Sequence, residues 1–149
     1  MSEKEFHAQQ LIKILLVEDN PDHAMIIKRA LTTLLSATVE TVTNGRDALN
    51  FLKQSCLNTA NGLNQQPDII LLDLKLPKLD GFQLAKIIKT DARFKSIPII
   101  ILTTSTRSED REQLFACGVE RYITKPTHFQ DFQQITSEIK ALICRENFV

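Results

Sequence analysis

Apolar positions along the chain change their spacing at regular intervals. "LIKILLV" (11–17) is an apolar run broken by one lysine. "PDHAMIIKRALTTLL" (21–35) then places apolar residues at 24, 27, 31, 34 and 35, the period of a helix with one buried face. "TVETVT" (38–43) alternates like a half-buried strand, and "GRDALNFLK" (45–53) returns to helical spacing. The same change repeats with "DIILL" (68–72) and "GFQLAKIIKT" (81–90), with "IPIIIL" (97–102) and "SEDREQLFAC" (108–117), and with "ERYIT" (120–124) before a last helix over about 127–145. The pattern predicts five strands and five helices in strict β-α order. The runs at 13–17, 69–72 and 98–102 leave almost no polar face, which is the mark of parallel strands covered on both sides.

The punctuation between elements agrees. Asn20 before Pro21 predicts an N-cap and a first-turn proline. Thr106 with Glu109, and Thr127 with Gln130, fit the capping box, in which two side chains satisfy two orphan amides. Asp80, with Gln83 three residues on, is expected to cap the third helix, and Pro77 to stiffen the turn before it. Gly118 stands where a helix would end in the left-handed conformation. "SCLNTANGLNQQ" (55–66) is polar and rich in Asn and Gln, and reads as an exposed excursion between the second helix and the third strand.

Length and charge narrow the class. One domain accounts for all 149 residues, with a core over about 12–145, a short extension at 1–10 and a tail at 146–149. Eighteen basic and eighteen acidic residues cancel, which argues against a nucleic-acid partner, because phosphate neutralisation needs a basic face. No apolar run approaches the ~20 residues that span a bilayer, so no membrane role is expected. Cys56, Cys117 and Cys144 have no metal-ligand spacing. Their odd number, with a polar N-terminus in place of a secretory signal, suggests free thiols and a cytoplasmic location.

In a parallel α/β sheet, ligands bind beyond the carboxyl ends of the strands. After the first strand come Glu18 and Asp19, after the third Asp73, after the fourth Thr103, Thr104 and Ser105, and after the fifth Lys125. If the first and third strands are neighbours, three carboxylates converge. At an effective dielectric of ~20, one such pair ~4 Å apart costs about 4 kcal/mol. Protons or a cation must relieve this, and a hard divalent ion with oxygen ligands does so best.

These residues carry a resemblance. "LLVEDN" (15–20), "PDIILLDLKLPKLDGF" (67–82), "IIILTTS" (99–105) and "YITKP" (122–126) stand in order at strand ends, and the chain resembles the receiver domains of two-component response regulators over about 12–145. With "DLKLPKLDG", "LTTS" and a long loop before the third strand, it is most similar to the stand-alone regulators of cyanobacterial phytochromes. The resemblance implies a flavodoxin-like (βα)5 doubly wound sandwich, its five-stranded parallel sheet in the order 2-1-3-4-5. It implies phosphorylation on Asp73 by a sensor histidine kinase, here a phytochrome-type kinase. It implies a Mg2+ ion, with Mn2+ or Ca2+ as substitutes in crystals, held by Asp19 directly, Glu18 through water, Asp73, and the backbone carbonyl of Lys75. Thr103 and Lys125 would bind the phosphoryl group, and Tyr122 would change position with Thr103 as a switch. The bond before Pro126 is usually cis in this family.

Further expectations follow. Thr104 stands where the family commonly has a smaller residue, so it should narrow the entrance to the site and slow hydrolysis. The side chain of Lys75 either lies over the site or is solvated. No helix-turn-helix or enzymatic output segment fits into the remaining residues, so output should pass through a surface that binds an unknown downstream protein or a second copy. The surface expected to form a homodimer is the fourth helix, fifth strand and fifth helix, aided by the apolar end Phe148-Val149. In the last helix, Phe129, Phe132, Ile135, Ile139 and Leu142 form a stripe that reads as core.

The chain is not expected to be an enzyme beyond assisting its own phosphorylation and dephosphorylation. A phosphohydrolase with a strand-end aspartate usually carries a second acid two residues later, and here that position is Lys75. A flavin-binding protein of this fold class needs a phosphate-cradling loop after the first strand, and "EDNPD" is acidic. A receiver-like docking domain without chemistry would not need every reactive position filled.

Overall fold

The structure, a computed structural model, describes residues 11–57, 66–104, 108–126 and 128–147. Among these, β1 (Ile12–Val17), β2 (Ala37–Val42), β3 (Ile69–Leu72), β4 (Ile99–Thr103) and β5 (Arg121–Thr124) alternate with α1 (Pro21–Leu34), α2 (Gly45–Leu57), α3 (Gly81–Thr90), α4 (Ser108–Cys117) and α5 (Phe132–Asn147). The strands form one parallel sheet in the order β2-β1-β3-β4-β5, as expected for the flavodoxin-like arrangement.

Successive strand residues point to opposite faces, and each face has its own core. Ile14, Leu16, Ile69, Leu71, Ile100 and Leu102 pack on α1 and α5, through Ile27, Leu31, Phe132, Ile135 and Ile139. Leu15, Val17, Ile70, Leu72, Ile99 and Ile101 pack on the other side with Leu52 of α2, Leu84 and Ile88 of α3, and Leu114 of α4. All four residues of β3 are fully buried, which explains its uninterrupted apolar sequence. The α5 stripe is core as expected at Phe132, Ile135, Ile139 and Leu142.

Local chemistry sets the element ends. Asn20 Oδ1 accepts from the amides of Asp22 and His23 at the start of α1, and Pro21 occupies its first turn. Asp80 Oδ1 accepts from the Gln83 amide at 2.9 Å and caps α3. Gly118 closes α4 at φ 112°, while the amide of Val119 reaches back to the Leu114 carbonyl. The edge away from the site is tied by Lys89. Its Nζ donates to the carbonyls of Lys95 and Ile97 and to Glu120 Oε2, and Glu120 Oε1 accepts from the Ile99 amide.

The structure departs from the sequence reading in three places. The second helix continues to Leu57, four residues beyond the expected end at Lys53, because Leu52 and Ser55 still face the core. The last helix begins at Phe132, after a single 3-10 turn at Phe129–Asp131. The peptide before Pro126 is trans, as are all the described peptide bonds, which is the isomer a prolyl amide favours by about 0.5–1 kcal/mol. The expected capping residues Thr106 and Thr127, most of the 55–66 excursion, Ser105, and Phe148-Val149 lie outside the described residues, as does the side chain of Phe129.

Candidate functional site

Parallel pairing delivers the site. Val17 is level with Leu72, so Glu18 and Asp73 leave adjacent strands side by side. The first bonds beyond the strands keep them there. The amide of Asp73 donates to the Val17 carbonyl (3.1 Å), that of Glu18 to Val42 (2.9 Å), and that of Lys125 to Thr103 (2.8 Å). Thr103 and Lys125 are thereby fixed on the same rim.

The ammonium of Lys125 lies between the two carboxylates. Its Nζ is 2.7 Å from Glu18 Oε1 and 3.0 Å from Asp73 Oδ2. The remaining oxygen of each acid is held by backbone: Glu18 Oε2 accepts from the Asn20 amide and Asp73 Oδ1 from the Lys75 amide, both at 3.2 Å. Glu18 is only 2% exposed, and Asp73 is also buried, while Asp19 is exposed. Burial alone would push the Lys125 pKa down. The hydrogen bonds and charges of Glu18 and Asp73 outweigh it, so the group is held above the ordinary lysine value of 10.5.

The expected convergence is present. One oxygen each from Glu18, Asp19 and Asp73 lies within 4.8 Å of the others. Set against one ammonium, the three ionised carboxylates leave two negative charges. An all-oxygen donor set with that residual charge fits one hard divalent cation. Lys125 relieves part of the repulsion foreseen from the sequence, and it does so through direct ion pairs.

The other sequence-predicted residues divide by position. Thr103 is fully buried, whereas Thr104 is exposed and helps line a cavity of about 240 Å³ with His23, Ile26, Lys125, Pro126 and Phe132. Lys75 is exposed and contributes its amide to Asp73. Tyr122 is half-buried on β5, and the guanidinium of Arg111 from α4 lies 5.3 Å from its ring centre.

Sequence reasoning missed three contributors. His23 Nδ1 lies 3.0 Å from Lys125 Nζ. Gly81 leaves space that a methyl group would take from the Asp73 carbonyl and the Leu74 Cα, so this glycine lets the loop fold against the end of β3. Gly45 does the same for Leu79, from the start of α2. The available signal was placement: glycines opening two helices next to the site loop, and a histidine in the first turn after the acidic pair.

Known proteins share this fold. The response regulator receiver domain family matches residues 14–137. A probable methanogenesis regulatory protein, FilR2 of Methanothrix harundinacea, is 40% identical over 128 residues, covering 85% of this chain and 80% of FilR2. The crystal structure of the phosphorylated cyanobacterial phytochrome response regulator RcpA superposes with a TM-score of 0.75 at 36% identity, covering 88% of this chain and 92% of RcpA. Response regulator Rcp1 of Synechocystis is 31% identical, covering 86% of each chain. Its Mn2+-bound crystal structure superposes with a TM-score of 0.71, covering 87% of this chain and 92% of that one.

The ion pairs make Lys125 a stability determinant. In metal-free protein, Lys125→Met leaves buried carboxylates unpaired and should cost about 3 kcal/mol in urea unfolding at pH 7. A pKa raised on folding gives stabilisation that is whole below the unfolded value and lost as pH rises through the folded one. The difference between wild type and variant should therefore hold from neutrality to pH 10.5 and shrink only above it. A variant as stable as wild type at pH 7 would contradict this assignment.

Proposed function

The chain belongs to the response regulator receiver domain family, and from that premise we propose that this receiver domain accepts a phosphoryl group on Asp73. The observation that carries the reading is the Lys125 ammonium shared between Asp73 and Glu18 beside the exposed Asp19. This arrangement suits phosphoryl transfer, which needs positioning and charge stabilisation more than covalent assistance.

In the proposed step, a carboxylate oxygen of Asp73 attacks phosphorus. The bond from phosphorus to the donor atom breaks, and its electron pair leaves with the donor. The buried β3 strand holds the nucleophile still, and the Lys75 amide and Lys125 ammonium orient its two oxygens. Lys125 and the Thr103 hydroxyl then face the transferred oxygens, where negative charge is greatest. Glu18, Asp19, Asp73 and the Lys75 carbonyl would hold Mg2+, which when bound supplies charge neutralisation and an electrophilic contact for phosphoryl oxygen. Thr104, on the cavity wall, limits the approach of water to the product.

The donor in this reading is a sensor histidine kinase of phytochrome type, in the cytoplasm. Support comes from the similarity to RcpA and Rcp1. Among the described residues no helix is long and apolar enough to cross a membrane. Output passes from Thr103 and Tyr122 to the α4-β5-α5 face, which binds a second copy and a downstream protein. The exposed Phe115 on α4 supports that surface as a contact.

Incubation with acetyl phosphate and Mg2+ should add one phosphoryl group to wild type by intact mass and none to Asp73→Asn. An unmodified wild type, or a modified Asp73→Asn, would remove the reading. In the same assay Thr104→Ala should lose the group faster than wild type, and an equal rate would discard the role given to Thr104. Light scattering should show a dimer favoured by an acyl-phosphate mimic; a monomer under both conditions at high concentration would contradict the dimer.

A further inference from the structure

We propose that His23 is a positioning residue for the phosphoryl-binding lysine: its Nδ1 takes the third N–H of Lys125 and fixes the ammonium between Glu18 and Asp73. The inference rests on the reading of Asp73 and Lys125 given above and assigns a residue to that site.

An ammonium has three donors and no acceptor. Those of Lys125 have one partner each, at Glu18 Oε1 (2.7 Å), Asp73 Oδ2 (3.0 Å) and His23 Nδ1 (3.0 Å). Because Lys125 can only donate, Nδ1 is the acceptor in this contact. Glu18 Oε2 lies 3.9 Å from the same Nδ1, too far for a hydrogen bond, so the ring's short contact at this rim is with Lys125.

The backbone that carries the ring is held in place. His23 is the third residue of α1, and its amide donates to Asn20 Oδ1 at 3.1 Å. The helix cap therefore fixes the backbone from which the ring projects toward Lys125. The side chain is 45% exposed and contributes little to the core, so its contact with Lys125 is the structural reason for a histidine here. The lysine needs such a partner. Its four-carbon stem is flexible, and two acceptors leave one N–H idle and the head free to turn between them. A third acceptor defines the orientation before phosphoryl transfer begins, which is where a positioning effect acts.

The test compares His23→Ala, which removes the acceptor, with His23→Asn, whose Oδ1 stands where Nδ1 was. Two measurements are made on each variant and on wild type. The 15N signal of the Lys125 ammonium, followed by NMR without any phosphodonor, reads its order. The rate of phosphorylation by acetyl phosphate with Mg2+ reads the consequence. In His23→Ala the ammonium signal should broaden into exchange with water and the rate should fall about fivefold, the effect of one ordinary hydrogen bond. His23→Asn should restore both. An unchanged signal and rate in His23→Ala, or a failure of His23→Asn to restore them, would overturn the proposal. If the wild-type chain takes up no phosphoryl group, the functional reading fails, while the ammonium signal alone still decides whether His23 orders Lys125.

Discussion

The site depends on a single cation held between two buried acids. Carboxylates placed side by side by a parallel sheet repel each other, and the sheet cannot separate them without breaking its register. Lys125 resolves this by donating to both. It comes from β5, two strands away from β3 in the sheet, so the ion pairs close the rim over β4. The neutralisation is incomplete. Two negative charges remain, and the exposed Asp19 keeps them accessible from solvent. The charge left uncompensated at these strand ends suits a hard divalent cation, as the proposed function requires.

The rest of the fold serves this rim by being rigid beneath it. The fully buried β3 carries Asp73, and each of its residues enters one of two cores on opposite faces. The loop after Asp73 is drawn against the strand end, where Gly81 and Gly45 give it room. At the opposite edge Lys89 and Glu120 tie α3, β4 and β5 without approaching the site. Chemistry and anchoring are thus separated to the two ends of the same strands. Between them, the contact of Arg111 with Tyr122 links α4 to β5 on the face proposed for output.

Much of this was legible in the sequence because the relevant signals are local. Continuous apolar runs identified β1, β3 and β4, alternation identified β2, 3.6-residue spacing identified α1 and α3, and Asn20, Asp80 and Gly118 marked element ends. The convergence of Glu18, Asp19, Asp73 and Lys125 followed from the rule that a parallel sheet gathers its strand ends. What stayed hidden depends on the third dimension. His23 reads as one polar residue in a helix, and only the aim of α1 brings it to Lys125, 102 residues away. The need for glycine at 45 and 81 comes from backbone passing close by, which spacing does not record. The last turn of α2 lies in a polar stretch, where the inward-facing Ser55 gives no apolar signal.

The central claim is that Glu18, Asp19 and Asp73, less the charge of Lys125, form a site for one divalent cation. Titration of metal-free protein with Mn2+, followed by paramagnetic resonance of the free ion, measures this directly. The account expects saturation at one ion per chain and a clear loss of affinity in Asp19→Asn, the acid not engaged by Lys125. Absence of saturable binding, or binding indifferent to Asp19, would contradict it.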